Sequence, residues 1–347
     1  MAAHKHEIWN MLFPIALLLL SLQSLFLISA AMAHAPVVPD NNESLAAATM
    51  ISDPTKSWAI YAELHEDGEA QYYGFNMTVT EKIYVMLFKP TSPDHEDFLP
   101  SLVLMGPALV SQGEIPEFVE TPSEAGVFVV EGVQPAQATY EPFSPGTFYS
   151  LAEVAVDAPE TGTYYVAIYE EFRGGRYGLA IGYRESYAID EWILIPLNLV
   201  AVYQWEGQSL AVIFAPMVAT LAVGLILMVR QQRILSANLT ISTWIGGIAG
   251  LLFLGSGINI LIQMAIKLTQ VHLSGEMVVT IVLALIPIIL GIAVLRMVLR
   301  SGAKGSGRRG VYFVVLGVVG LVAWAGLLVG PILAILSGIW QKFGQSQ

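Results

Sequence analysis

The sequence contains no cysteine. That absence excludes disulfides, thiolate-bound zinc and thiol nucleophiles, so the folded parts are held by burial and backbone pairing alone. Charge is scarce too: 13% of the 347 residues are Asp, Glu, Lys or Arg, against 55% hydrophobic, a balance that places part of the chain in a bilayer. What charge there is runs negative, with a formal net of −12 and no cluster of Lys and Arg in the polar half, which argues against nucleic acid as a partner. Catalytic signatures are missing as well. There is no Gly-x-Ser-x-Gly, and "RGGRYG" joins two apolar runs as a hairpin turn rather than opening a helix around a phosphate, so an enzyme is not expected.

The first 33 residues read as a signal peptide. Lys5 with His4 and His6 supplies a weakly positive start, 13–20 and 25–28 are apolar, and Ala31-Met32-Ala33 is a small-x-small site that would place the cut before His34. Residues 34–56 follow as a leader or linker, in which "PVVPDNNES" has the composition of a flexible segment. Asn42-Glu43-Ser44 and Asn76-Met77-Thr78 are glycosylation sequons.

From 57 to 186 the apolar pattern has period two. "SWAIYAEL", "KIYVMLF", "SLVLM", "VFVVEG", "TYYVAIY" and "RYGLAIGY" are short β-branched and aromatic runs separated by Gly- and Pro-rich punctuation, with no amphipathic helix among them. That pattern predicts an all-β antiparallel sandwich. "AQYYGFNMT", "EKIYVMLF", "LVLMGP" and "GTYYVAIYEEFRGGRYGLAIGY" resemble the pre-peptidase C-terminal domain over residues 57–184, with a long insertion at 111–145. The resemblance implies a secreted jelly-roll module with a non-catalytic binding or targeting role, and it brings no functional residues with it.

The second half is apolar. Stretches 210–229, 241–266, 277–295 and 311–340 are each long enough to cross a bilayer, predicting a bundle of four transmembrane helices within 209–341 and a short tail at 342–347. "WILIPLNLVAV", within 187–208, is too short to cross and reads as an interfacial or re-entrant segment. Arg230 and Arg233 follow the first stretch and Arg296, Arg300, Lys304, Arg308 and Arg309 follow the third, whereas the intervening loop carries only Lys267. By the positive-inside rule, the sandwich and the C-terminal tail then lie outside the cell membrane and the two basic loops in the cytoplasm. No Asp, Glu, Lys, Arg or His falls inside the four stretches, which disfavours a pump or transporter. Gly246, Gly250, Gly255, Gly257, Asn259 and Gln263 instead predict a helix-packing face.

Three histidines are candidate metal ligands. His65 and His95 each head a His-Glu-Asp triplet. The segment "AMA-HAPVV" resembles the start of lytic polysaccharide monooxygenases and other exported copper proteins, whose mature N-terminal histidine binds copper through its amine and imidazole, and it implies that role for His34. The leading expectation is nevertheless a non-enzymatic membrane protein in which an exported sandwich acts as a binding or accessory subunit of a larger complex. Copper handling through His34, His65 and His95 is the alternative.

Overall fold

The computed structural model describes residues 35–37, 39, 41–93, 97–235, 240–299 and 307–343. The expected signal peptide, His34 and His95 lie outside them. Eleven strands precede the helices: β1 (Ala35–Val37), β2 (Thr49–Ile51), β3 (Trp58–Leu64), β4 (Glu69–Met77), β5 (Lys82–Pro90), β6 (Ser101–Gly106), β7 (Gly126–Val130), β8 (Thr139–Glu141), β9 (Gly146–Asp157), β10 (Gly162–Glu170) and β11 (Gly175–Ile181). They form two sheets, in the orders β1-β3-β11-β5-β9-β8 and β2-β4-β10-β6-β7. Chain-consecutive strands β3 to β6 alternate between sheets, and so do β9 to β11, an interleaving that wraps the sandwich as a jelly roll.

The leader is not free of this domain. Ala35–Val37 pairs in parallel with β3 and Thr49–Ile51 with β4, and Asn42 exchanges two hydrogen bonds with the backbone of Tyr72. Covering both sheet edges gives partners to backbone groups that would otherwise stand open. Residues 111–145 are also built in, supplying β7 and β8 to the two sheets.

Between the sheets lies a core that includes Ile60, Phe75, Val85, Leu87, Leu104, Val166 and Leu179. The Tyr73 and Tyr177 hydroxyls meet there at 2.6 Å, and Tyr177 donates to Gln71, so each buried phenol is satisfied. The pattern departs from strict alternation because the outer faces are covered too. Tyr72, Val103, Met105 and Ala167 pack beneath Leu45, Ile115 and Val119, while Met86, Phe88 and Ala180 pack beneath Trp205. Leu102 to Met105 are accordingly buried without a break, the reading expected of a strand enclosed on both sides.

Six α-helices follow: α1 (Ile189–Trp205), α2 (Leu210–Leu235), α3 (Ile241–Lys267), α4 (Met277–Leu299), α5 (Gly307–Val322) and α6 (Val329–Phe343). Three of them, α2, α3 and α4, are long and apolar enough to cross a membrane. The fourth predicted span is not seen as one helix: 311–340 is broken by a turn in which Trp324, Gly326 and Leu327 all have positive φ, and α6 folds back along α5. At about 1.5 Å per residue each arm reaches only about 22–24 Å, short of the roughly 30 Å hydrocarbon layer. The arms approach closely through glycines, since a Cβ on Gly317 would sit 2.6 Å from Ile335, and one on Gly310 would sit 2.5 Å from the Gly338 carbonyl. Lys342 therefore returns beside Gly310, where the hairpin began.

Helix α3 is the centre of the bundle. Gly246 faces Phe313 and Ser337 of the hairpin, Gly250 faces Val294 and Leu295 of α4, Gly255 faces Met217 and Thr220 of α2, and Gly257 meets the backbone of Ala284 and Ile288. Lys267, assigned by sequence to a loop, is the last residue of α3 and is buried.

Candidate functional site

The sandwich meets the helices along a buried polar seam, and α1 places its parts. The first turn of α1 is fixed by Glu191, whose carboxylate accepts from the Ala188 N–H and pairs with Lys56 at 2.6 Å. Those bonds hold its carboxyl below the usual carboxylate range, the Lys56 hydrogen bond contributing most. The far end is fixed by Arg176, which donates to the carbonyls of Gln204 and Trp205, where a helix terminus favours a cation. The Trp205 indole N–H is shared between the carbonyls of Ala62 and Tyr177, and its ring packs on Tyr61 and Phe88.

With Trp205 pinned, the next residue is aimed into the seam. Glu206 accepts from the Thr147 N–H at 3.2 Å through Oε1, and its Oε2 lies 2.8 Å from Lys267 Nζ. Both side chains are almost wholly inaccessible, 3% and 5% exposed. Burial raises the Glu206 carboxyl, opposed by Lys267. Beside the pair, Gln270 Oε1 lies 2.8 and 2.6 Å from the hydroxyls of Thr91 and Thr147. Tyr140 on β8 meets Thr280 of α4 at 2.8 Å, and Thr280 donates to the Pro142 carbonyl.

The seam continues into the bundle. Asn259, Gln263 and Lys267 succeed one another at intervals of four, which stacks them on one face of α3. Gln208 donates to Gln263 at 2.8 Å; Gln208 Oε1, Asn259 Oδ1 and Gln263 Nε2 have no partner among the described residues. One turn further in, Ser256 accepts from the Gly326 N–H at the hairpin's turn. That turn also touches α1: Trp324 packs against Trp192 with ring centres 4.4 Å apart and planes tilted by 42°, and each indole N–H donates to a carbonyl across the contact.

Above Glu206, Tyr61, Phe88, Phe148 and Trp205 wall a small cavity that also holds Glu141. Its volume of about 30 Å³ is that of a water site, too small for an organic substrate. Burial pushes the Glu141 carboxyl up to about 8, against a hydrogen bond from the Phe143 N–H, so it carries a proton at neutral pH. Of the two acidic groups here, one is neutralised by a proton and the other by a lysine. The arrangement joins two surfaces and offers no open nucleophile or base.

Of the predicted metal ligands, His65 lies away from this seam, and His34 and His95 fall outside the described residues. His65 is exposed on the β3–β4 turn, 3.7 Å from Glu69, and Asp97 of the other triplet pairs with Arg173 at 3.0 Å. Ala35 is registered opposite Trp58, seven residues along β3 from His65, about 23 Å at the rise of a strand. No group of three or more His, Asp or Glu side chains among the described residues could hold a metal ion. The Asn42 sequon amide is buried and already bonded to Tyr72. The Glu206–Lys267 pair escaped sequence reasoning, although extending the Asn259, Gln263 spacing by four more residues reaches Lys267.

No family model and no curated protein matches the chain. Among solved structures, similarity is found to the Methylococcus capsulatus secreted protein MopE, soaked with mercury, whose copper binding is described as facilitated by an oxidized tryptophan. Identity is 13%, 46% of this chain and 91% of that chain are covered, and the TM-score is 0.12.

Proposed function

We propose that this protein is a membrane-anchored, non-catalytic binding or accessory subunit whose sandwich stands on the exported side, held at fixed orientation by the helices. The observation that carries the reading is the buried Glu206–Lys267 pair, which ties the segment after α1 to the end of a membrane helix beneath the sandwich. A tethered binding domain needs only a flexible linker; a seam of this kind is what a domain requires when its orientation matters to a partner in the same membrane. The sidedness is supported by charge, since Arg230, Arg233 and Arg296 lie at the helix ends away from the sandwich while the 268–276 connection below it has no Lys or Arg. The signal-like 1–33 segment supports export, and the jelly-roll order supports kinship with pre-peptidase C-terminal modules.

The test is native electrophoresis of the full chain, extracted from its own membranes in mild detergent, after brief amine cross-linking. A discrete species above the monomer, lost in Lys267→Met although that variant still inserts, is the expected result. A monomer alone, with and without cross-linker, overturns the reading.

A further inference from the structure

The helices leave a groove of about 940 Å³ on the side where α2, α3 and α4 meet. Its walls are apolar, formed by Val223, Leu227, Leu254 and Leu295, and Val223 and Leu227 are more than half exposed. It does not run the length of the bundle. Along α2 its lining runs from Ala219 past Arg230 to Ile234. Leu210 to Arg230 rises about 30 Å, the thickness of the hydrocarbon layer, which sets Arg230 at headgroup depth. The stretch from Ala219 to Arg230, about 16 Å, then covers the leaflet away from the sandwich, and Gln231 and Ile234 continue the wall into the headgroup zone.

Arg230 lines the groove beside Gln231 and makes no ion pair among the described residues. Nothing acidic is near to supply one: from 207 to the end of the sequence Glu276 is the sole acidic residue, and it lies just before α4, at the sandwich end. Arg233 and Arg296 occupy the same end of the bundle as Arg230. An apolar slot one leaflet deep with an unpaired guanidinium at its mouth matches the two parts of a lipid. A partner's transmembrane helix would need a surface crossing both leaflets.

We infer that this groove is a binding site for an anionic phospholipid, its acyl chains lying along Val223, Leu227 and Leu254 and its phosphate held by Arg230. Guanidinium suits that role because it presents paired N–H donors to phosphate oxygens and stays charged at any physiological pH.

The experiment is native mass spectrometry of the full chain, delipidated in detergent and then exposed to micelles doped with dioleoyl phosphatidylglycerol or dioleoyl phosphatidylcholine. One phosphatidylglycerol should be retained per chain, at least about fivefold over phosphatidylcholine, the preference expected from one basic contact near a membrane surface. Arg230→Gln should abolish the preference while Arg230→Lys keeps most of it, and Arg173→Gln, on the sandwich, should change nothing. Val223→Trp, which fills the slot without touching the charge, should lower retention of both lipids. Glycerophosphoglycerol, the headgroup without chains, should fail to displace bound lipid. Equal retention of the two lipids overturns the inference, as does wild-type preference in a folded Arg230→Gln. Displacement by the chain-free headgroup would assign Arg230 to a soluble phosphate and overturn it equally. Thermal unfolding of each variant separates loss of the site from loss of the fold.

Discussion

Glu206, one residue beyond α1, and Lys267, the last residue of α3, meet at 2.8 Å with almost no exposed surface between them. A buried pair of this kind contributes less through its own attraction than through the cost of leaving either member alone. Lys267→Met should therefore destabilise the junction by about 3–5 kcal/mol. The double variant Glu206→Gln, Lys267→Met should recover part of that loss, because no uncompensated charge remains. Thermal unfolding in detergent reads both, and a double variant no better than the single would show that the pair is not coupled.

Glu141 makes stability depend on pH in a stated direction. Its carboxyl is raised to about 8 when folded and is near 4.5 when unfolded, so the folded chain holds a proton that the unfolded chain releases in between. Stability contributed by this group is full below about pH 4.5 and falls as pH rises toward 8. Because the residue keeps some exposed surface, the change is set at about 1–2 kcal/mol. Glu141→Gln should flatten the profile between pH 5 and 8 in chemical denaturation; an unchanged slope would remove Glu141 as its source.

The hairpin predicts a labelling pattern that four spans would not give. With no native cysteine to interfere, Arg308→Cys and Lys342→Cys should react with an impermeant maleimide from one side of sealed vesicles, and Thr269→Cys from the other. Labelling of positions 308 and 342 from opposite faces would restore the fourth span.

Trp205 locks α1 to the sandwich through two shared carbonyls and two aromatic contacts. Trp205→Ala should cost about 3 kcal/mol, the lower range for a large aromatic that is only partly buried. It should also expose 187–208 to protease before the sandwich unfolds. A digestion pattern identical to the parent would place the lock elsewhere.

Strands and helices were legible where local chemistry is repetitive. The runs around Trp58, Tyr84, Leu104, Tyr164 and Tyr177 are β-branched and aromatic, and the long apolar runs of α2, α3 and α4 announce their environment directly. What escaped depends on contacts between distant residues. Hydropathy along 311–340 averages over Trp324 to Leu327, where three positive φ angles reverse the chain. Lys267 looks like a loop cation until Glu206 is placed beside it, and "PVVPDNNES" looks flexible because its partners, Ala59, Ile60 and Tyr72, lie further along the chain.

The double covering of the sheets limits how this domain can recognise anything. One broad face is partly spent on Leu45, Ile115 and Val119 and the other, around Phe88, on Trp205, which reduces the flat sheet surface left to press against a partner. Along the edges, β1 and β2 are only three residues long, β8 is tied down through Tyr140 and Thr280, and β7 already bonds the backbone of Gln112. That leaves the rim of loops at the end remote from the seam, to which β9 carries the chain roughly 36 Å. There Val79 bonds Thr161 through its N–H, Thr80 bonds Ala158, and Val79 and Val110 stand exposed. The domain is a pedestal, and what it presents to the world is its crown.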